Sequence, residues 1–504
     1  MKTDVHTPDL IAVQIDGKEI FVPRGSTVGE ILHQNRPCGG RGICGKCKVR
    51  ASGALSPVSS CERERLTTQE LEQGIRLACR TRIEGFCRIE GLSAEGGEEN
   101  ILTSGMPHTF AAMPDLAGYG VAVDIGTTTL AARLYSADGR LLSQTACLNP
   151  QMQWGADVIS RIEAALAGKE KDLRDALLFC IDRMLTELAN QAGVSCEHIG
   201  RAVMTGNTVM LHLLTGTSPA ALAAAPFSPH RLFNEYLSAG ELSLSALSPD
   251  VPVFLPACIS AFVGADTVCA VLATELCTSS TPTVLVDIGT NGEICLFDRE
   301  KLYVASTAAG PAFEGVGISY GMRAEKGAIH RVSTEEGRPV CEVIGEKEAT
   351  GICGSGLIDA VAALLSLGMM DETGALQAGN ALLCDHVFLS QNDIRAVQMA
   401  KSAISAGMQT VLQAAGLTAP DRVILAGGFG SYLSVENAVR IGMLPSYADG
   451  RTSSVGNAAL DGAATLLFEE NPVQRCAQIV TRAVPVDLAT DPAFAELYMM
   501  GMLF

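Results

Sequence analysis

The chain has 504 residues, 47% of them hydrophobic and 18% charged, with a formal net charge of −18. A chain of this length can bury large cores and form two to four domains. Its acidity, with no basic block, speaks against nonspecific nucleic-acid binding. No apolar run reaches the ~18 residues of a membrane span, and the start Met1-Lys-Thr-Asp-Val-His has no signal-peptide character, so a cytoplasmic protein without membrane partners is expected.

Residues 10–22 form two apolar runs around Asp16-Gly17, a hairpin signal. Thr27 then stands as a helix cap with Glu30 in the capping-box position. Next comes Cys38-x5-Cys44-x2-Cys47 in a Gly-rich loop, and Cys79 follows in Leu77-Ala-Cys79. Three thiols on one loop and a distant fourth make a Cys₄ set suited to a [2Fe–2S] cluster, with the glycines letting backbone N–H groups face inorganic sulfide. Cys44-x2-Cys47 alone would also suit zinc or a redox dithiol. Zinc ribbons, however, use two such knuckles. Cys61 and Cys87 compete with Cys79 for the fourth position. Of the chain's 17 cysteines, most of the others, Cys180 and Cys295 among them, sit singly in apolar segments and read as small buried hydrophobes.

Residues 92–117 are rich in Gly, Pro and acids and read as a linker. Beyond it, one pattern occurs twice: Val121-Ala-Val-Asp124-Ile-Gly126-Thr127-Thr128 and Val284-Leu-Val-Asp287-Ile-Gly289-Thr290-Asn291. Each is an apolar strand, an Asp, a tight Gly/hydroxyl turn and a returning strand. Unpaired N–H groups in such turns can hold phosphate oxygens, and an Asp at the strand end can hold Mg²⁺ through water. A single copy could be an ordinary hairpin; the internal repeat argues otherwise. A third segment, Arg422-Val-Ile-Leu-Ala-Gly427-Gly428-Phe429, is a buried strand running into a Gly-Gly loop that lets backbone approach a flat ligand.

In this order the three segments resemble the actin, sugar-kinase and Hsp70 ATPase superfamily. The resemblance implies ATP and Mg²⁺. It assigns Gly126, Thr127, Thr128, Gly289, Thr290 and Asn291 to phosphates, Asp124 and Asp287 to Mg²⁺ and the attacking water, and Gly427, Gly428 and Phe429 to adenosine. It also implies two crossing helices, near Phe262–Asp266 and Gly456–Gly462. The general base stays open between Asp266 and Glu293, and no lysine has a P-loop setting. The N-terminal region resembles a β-grasp ferredoxin, whose Leu-Ala-Cys context implies Cys79 as the fourth ligand.

Further motifs narrow the resemblance: Gly206-Asn207-Thr208-x-Met210-x-His212-Leu, Pro226-Phe-x-Pro229, Cys353-Gly-Ser355-Gly-Leu-Ile-Asp359 and Asp393-Ile-Arg395-x-Val-Gln398-x-Ala-Lys401. Together the whole chain is similar to the reductive activators of corrinoid proteins. The expected fold is an α+β β-grasp ferredoxin domain followed by a two-lobed α/β ATPase domain of the actin/sugar-kinase/Hsp70 type. The expected layout is residues 1–91 for the ferredoxin domain, 92–117 for the linker, 118–280 for the first lobe and 281–504 for the second. The resemblance implies ATP-dependent reduction of Co(II) to Co(I) on a corrinoid (cobalamin-type) protein of a methyltransferase system. It also implies a low-potential electron donor, and it leaves homodimer assembly open. Two rival readings remain at this stage: a small-molecule kinase with a regulatory iron–sulfur domain, and a nucleotide-binding redox sensor without turnover. His212, set among Leu and Met, reads as a satisfied core histidine.

Overall fold

The computed structural model describes residues 10–15, 18–32, 40, 42, 45, 47–91, 106, 110, 113, 118–345, 348–430 and 432–504. Cys38 and Cys44, the Asp16-Gly17 turn and most of 92–117 lie outside the described residues, as does the side chain of Phe429. The chain divides into two compact units: Met1–Gly97 with Pro150–Ala164, and Glu98–Asn149 with Ala165–Phe504.

The first unit contains strands β1 (Leu10–Ile15), β2 (Lys18–Pro23), β3 (Lys48–Leu55), β4 (Ile75–Leu77) and β5 (Ile83–Gly91), in sheet order β2-β1-β5-β3-β4. β1 and β2 pair antiparallel in the register a two-residue turn dictates, Ile15 opposite Lys18. β5 lies parallel to β1 and antiparallel to β3, the mixed sheet of a β-grasp. Its core is Val13, Val22, Val49, Leu77, Ile83 and Ile89. The expected capping box forms: Thr27 N–H donates to Glu30 Oε2 (2.8 Å), and Glu30 N–H returns to Thr27 Oγ1 (3.3 Å).

The same unit holds a fully buried carboxylate, Glu62. It accepts from Arg76 Nε (2.8 Å), Ser59 N–H (2.8 Å), Leu77 N–H (3.2 Å) and Thr81 Oγ1 (3.1 Å). Burial pushes its pKa up, but the Arg76 and Ser59 hydrogen bonds outweigh that and bring it down from 4.5 to about 2. The folded-state value lies below the unfolded one. The stabilisation is therefore full above about pH 4.5 and is lost as pH falls through about 2. Glu62→Ala leaves Arg76 buried without its carboxylate and costs about 3–5 kcal/mol near neutrality. In urea unfolding titrations, the gap between wild type and variant should shrink as pH drops from 5 toward 2; a gap that does not change with pH would contradict this account.

The second unit is built on two sheets that repeat one plan. Strands β6 (Tyr119–Ile125), β7 (Thr129–Ser136), β8 (Leu141–Leu148), β9 (Ile199–Gly206), β10 (Glu235–Ser238) and β11 (Pro252–Leu255) run in the order β10-β11-β9-β6-β7-β8. Strands β12 (Thr283–Ile288), β13 (Gly292–Phe297), β14 (Leu302–Thr307), β20 (Arg422–Ala426), β21 (Thr452–Ser454) and β22 (Ala483–Pro485) run β21-β20-β12-β13-β14-β22. In each sheet an antiparallel meander is flanked by a parallel strand: β9 beside β6, and β20 beside β12. The intervening strands β15 to β19 form two small sheets between residues 328 and 390.

Strand alternation sorts side chains between two cores. Val284, Val286, Ile294, Leu296, Val423 and Leu425 face a core shared with the helices Gly354–Ser366 and Gln391–Ala414. Leu285, Cys295, Phe297, Ile424 and Ala426 face the other, shared with the helices Ala265–Ala273 and Ala458–Leu467. Burying both faces explains why these strands read as continuous apolar runs. Each such Val, Leu or Phe contributes about 1.5–3 kcal/mol relative to exposure.

The helix Ala458–Leu467 packs against β6 and β9 although it lies late in the chain. It is fixed there by a buried ion pair, Arg133 to Asp461 at 2.7 Å. It also touches Ala265–Ala273 closely: a Cβ added to Gly462 would overlap the Cys269 carbonyl. Three residues of the 92–117 stretch rest on this neighbourhood. Met106 N–H donates to Asp461 Oδ2 (2.8 Å), Phe110 stacks on Phe468 with centroids 4.7 Å apart, and Met113 N–H donates to Ala137 O (2.9 Å). Cys180 is not a lone thiol in space, because its Sγ lies 3.2 Å from that of Cys147. Among the described residues, no helix is long and apolar enough to cross a membrane.

Candidate functional site: a two-hairpin cleft and a cysteine-bearing strand end

The two repeated motifs meet. The β6–β7 turn closes with Gly126 N–H donating to Thr129 O (3.0 Å), and the β12–β13 turn with Gly289 N–H donating to Asn291 O (2.9 Å). A Cβ on Gly126 would come within 2.6 Å of the Thr129 carbonyl, so that turn requires glycine. Thr128 Oγ1 and Thr290 Oγ1 are 3.2 Å apart. The two hairpins thus open on one cleft of about 320 Å³, which also takes in Asp124, Asp287, Gly427, Gly428 and Asn457. Of the residues expected at phosphates, metal and adenosine, the cleft lining brings together Asp124, Gly126, Thr127, Thr128, Asp287, Gly289, Thr290, Asn291, Gly427 and Gly428.

Gly427 has φ +88, and a Cβ there would sit 2.6 Å from Asp287 Oδ1. The register of β12 with β20 causes this, since Asp287 pairs with Ala426 and the chain turns immediately after it. Glycine is therefore the residue that lets the Gly-Gly loop lie against the carboxylate.

Four carboxylates besides Glu314 line the cleft: Asp124, Asp266, Asp287 and Glu293. Burial, with the charges of Asp266 and Asp287 adding to it, raises Asp124 to about 7 despite the hydrogen bond from Asn457 Nδ2 (3.0 Å). Burial and Asp266 raise Asp287 to about 7; burial raises Asp266 to about 6 and lifts Glu293 well above its usual range. Desolvated acids held this close disfavour joint ionisation unless positive charge joins them. Among the described residues no three potential ligands converge on one metal position. A cation held through water and phosphate suits this arrangement better than one in an all-protein cage.

Several contributing residues carried no assignment in the sequence. Asn207 caps the helix Thr208–Thr215 through Met210 N–H (3.0 Å) and donates to Thr127 Oγ1 (3.0 Å). Asn149 Nδ2 donates to Gly126 O (2.8 Å). Glu314, on the turn Pro311–Glu314, accepts from Thr128 Oγ1 (2.8 Å) and Thr290 Oγ1 (3.1 Å). A carboxylate four residues beyond an Ala-Gly turn gives no periodic signal, so only the fold reveals it.

Cys353, Gly354 and Ser355 line the cleft, whereas other motif residues hold the fold together. His212 is buried and its Nδ1 lies 2.7 Å from Thr208 O; burial lowers its pKa. Asp359 accepts from Asn437 Nδ2 (2.6 Å). Gln398 donates to Met502 O (2.6 Å) and Lys401 to the carbonyls of Gly501 and Leu503. The Asp-Ile-Arg motif therefore clamps residues 501–503.

In the first unit, β3 and β4 pair with Lys48 opposite Leu77, and Ala78 N–H donates to Cys47 O (2.8 Å). That places Cys47 and Cys79 at one end of a strand pair, both buried. Gly40, Gly42 and Gly45 all have positive φ, which explains the glycine-rich loop. Cys61 is half-buried, and a Cβ on Gly42 would stand 3.2 Å from its Cβ. Cys87 lies within β5 opposite Gly53, where burial raises its pKa.

Residues 119–279 match the family model "RACo middle region", and 281–504 match "C-terminal domain of RACo the ASKHA domain". The chain is 34% identical over 426 residues to the corrinoid activation enzyme RamQ of Eubacterium limosum, covering 77% of this chain and 70% of that protein. It is 26% identical over 420 residues to the [Co(II) methylated amine-specific corrinoid protein] reductase of Methanosarcina barkeri, covering 77% of each. A solved structure described as a reductive activator for corrinoid, iron-sulfur protein aligns over 98% of both chains with a TM-score of 0.71 and 27% identity. The repeated hairpins, the cleft between them and these matches converge, and the chain belongs to the family of reductive activators of corrinoid proteins.

Proposed function

We propose that this chain reduces the Co(II) form of a corrinoid protein to Co(I), spending ATP and passing one electron through a [2Fe–2S] cluster held by Cys38, Cys44, Cys47 and Cys79. The observation that carries the reading is the meeting of the two phosphate-type hairpins in one acid-lined cleft, in a chain whose other unit is a β-grasp with paired cysteines. The residues fit the groups. Cys47 and Cys79 share a strand end, and Gly40, Gly42 and Gly45 have the left-handed backbone that suits wrapping a compact centre. In the cleft, the clustered, partly buried carboxylates call for a cation, and Mg²⁺ bound with ATP would meet that need.

When bound, the cluster supplies the single electron. The chain's own residues do the rest. Cys47 and Cys79 enter as thiolates, and the Glu62–Arg76–Thr81 network stiffens the turn beside Cys79. Thr127, Thr128 and Thr290 present hydroxyls, and Gly126 and Gly289 shape the backbone, toward phosphate oxygens. Asp124 and Asp287 would hold Mg²⁺ through water and would orient the attacking water. The Gly427-Gly428 backbone lies flat against adenosine.

The energetic problem is an uphill transfer. Each ~60 mV of unfavourable potential costs about 1.4 kcal/mol for one electron. ATP can offset this only if nucleotide-bound and product states differ in affinity for the partner or its cobalt state. The partner's methyltransferase system and a low-potential donor to the cluster complete the scheme.

The test is anaerobic visible spectroscopy of a Co(II) corrinoid protein mixed with the reduced chain. Little Co(I) should form without nucleotide, conversion should proceed with ATP, and a non-hydrolysable analogue should not sustain it. Equal Co(I) yield under all three conditions would defeat ATP coupling.

A further inference from the structure

Glu314 stands in an unusual place for a negative charge. The hydroxyls best placed to receive phosphate from the two hairpins, Thr128 on one and Thr290 on the other, both donate to it. These are also the two hydroxyls that approach each other at 3.2 Å, so the point that can be gripped from both hairpins is the point Glu314 now occupies. A carboxylate with two oxygens accepting hydroxyl hydrogens has the charge and acceptor pattern of a phosphate edge.

Its backbone setting allows it to withdraw. The turn Pro311–Glu314 is bracketed by Gly310 and Gly315, both at φ +78, with Gly317 at φ +82 just beyond. Phe313 anchors the turn in the core while Glu314 projects into the cleft. Gly315 packs directly on Gly321 and Met322, where an added Cβ would approach Met322 N to 2.6 Å, and Met322 lines the cleft as well.

We infer that Glu314 is a positioning residue that stands in for the nucleotide's terminal phosphate, holding the two hairpin hydroxyls in place until that phosphate displaces it. The inference rests on the reading of the cleft as an ATP site and adds a means of telling ATP from ADP. Three phosphates reach the gripped point and repel the carboxylate; two leave it seated. Withdrawal then shifts the glycine-bracketed turn and the Gly321–Met322 backbone against it, so the third phosphate is registered outside the phosphate turns themselves.

The test is binding of ADP and of a non-hydrolysable ATP analogue, each with Mg²⁺, to the full chain and to Glu314→Gln. Glutamine keeps an acceptor oxygen for the threonines and removes the charge. The analogue should bind Glu314→Gln about tenfold more tightly than wild type, while ADP affinity changes by less than about twofold. A role confined to bracing the hairpins would move both nucleotides together. Equal shifts for the two, no shift, or weaker analogue binding would each overturn the inference, the last by making Glu314 a ligand of the metal–phosphate group. Glu314→Asp, with the charge kept and the reach shortened, should retain wild-type preference within about threefold if it melts as wild type does. Failure of the wild-type chain to bind either nucleotide would instead sink the ATP reading itself.

Discussion

Asp287→Ala lowers ATP turnover by at least about a hundredfold, about 2.7 kcal/mol of transition-state stabilisation, without lowering the melting temperature. Both halves come from the same geometry. Asp287 ends β12 in the cleft, against the Gly427 backbone, and burial together with Asp266 raises it to about 7. A carboxylate held there is a cost to the fold, so replacing it with alanine relieves repulsion among four acids and leaves the strand's apolar packing untouched. On the proposed role, the activity would fall because the water shell of Mg²⁺ would lose an anchor and the attacking water an acceptor. Phosphate release with Mg²⁺-ATP measures the first half and thermal melting the second. Turnover within tenfold of wild type would remove Asp287 from the chemistry. A large drop in melting temperature would mean the carboxylate supports the fold instead.

Cys47→Ser and Cys79→Ser each take iron content from about two per chain to near zero, whereas Cys61→Ser leaves it intact. The strand register sets Cys47 and Cys79 at the same end of the β3–β4 pair, and a serine alkoxide is a poor substitute for a thiolate on iron. Cys61 is the instructive control, since it too borders the loop at Gly42. Cys87→Ser tests the opposite case. Its thiol is buried inside the sheet, so the change should weaken the unit's packing before it touches iron. Iron and sulfide analysis of anaerobically purified variants settles the set. Iron lost in Cys61→Ser but kept in Cys79→Ser would exchange the two assignments.

Much of the second unit was legible because its signals repeat. Val284-Leu-Val-Asp287 and Val121-Ala-Val-Asp124 each announce a strand, a turn and an acid, and the fold pairs them as their likeness implies. The helix Ala458–Leu467, expected as one of two crossing helices, packs against Ala265–Ala273 and on β6 and β9. Its attachment depends on Arg133, more than three hundred residues away, and a long-range ion pair of that kind leaves no local pattern. Glu314 was hidden for the same reason: its partners come from two hairpins far apart in the chain. His212 was read correctly as a core residue because its Leu and Met neighbours define its surroundings within one helix, but it is only half satisfied, since its Nε2 is buried without a hydrogen-bond partner.

The close approach at Gly462 makes the two crossing helices a pivot. Backbone meets backbone there, so neither helix can turn on its own axis without striking the other. What remains is a scissor motion about the crossing point. Asn457, which caps the helix and reaches Asp124, lies five residues from that point, an arm of about 7.5 Å at 1.5 Å per residue. A rotation of about 10° therefore carries the cap through about 1.3 Å, enough to break a 3.0 Å hydrogen bond. A small angular change at a glycine outside the cleft thus becomes a make-or-break event at its first carboxylate. A methyl group at position 462 would overlap the Cys269 carbonyl and force the two helices apart, carrying that cap with them.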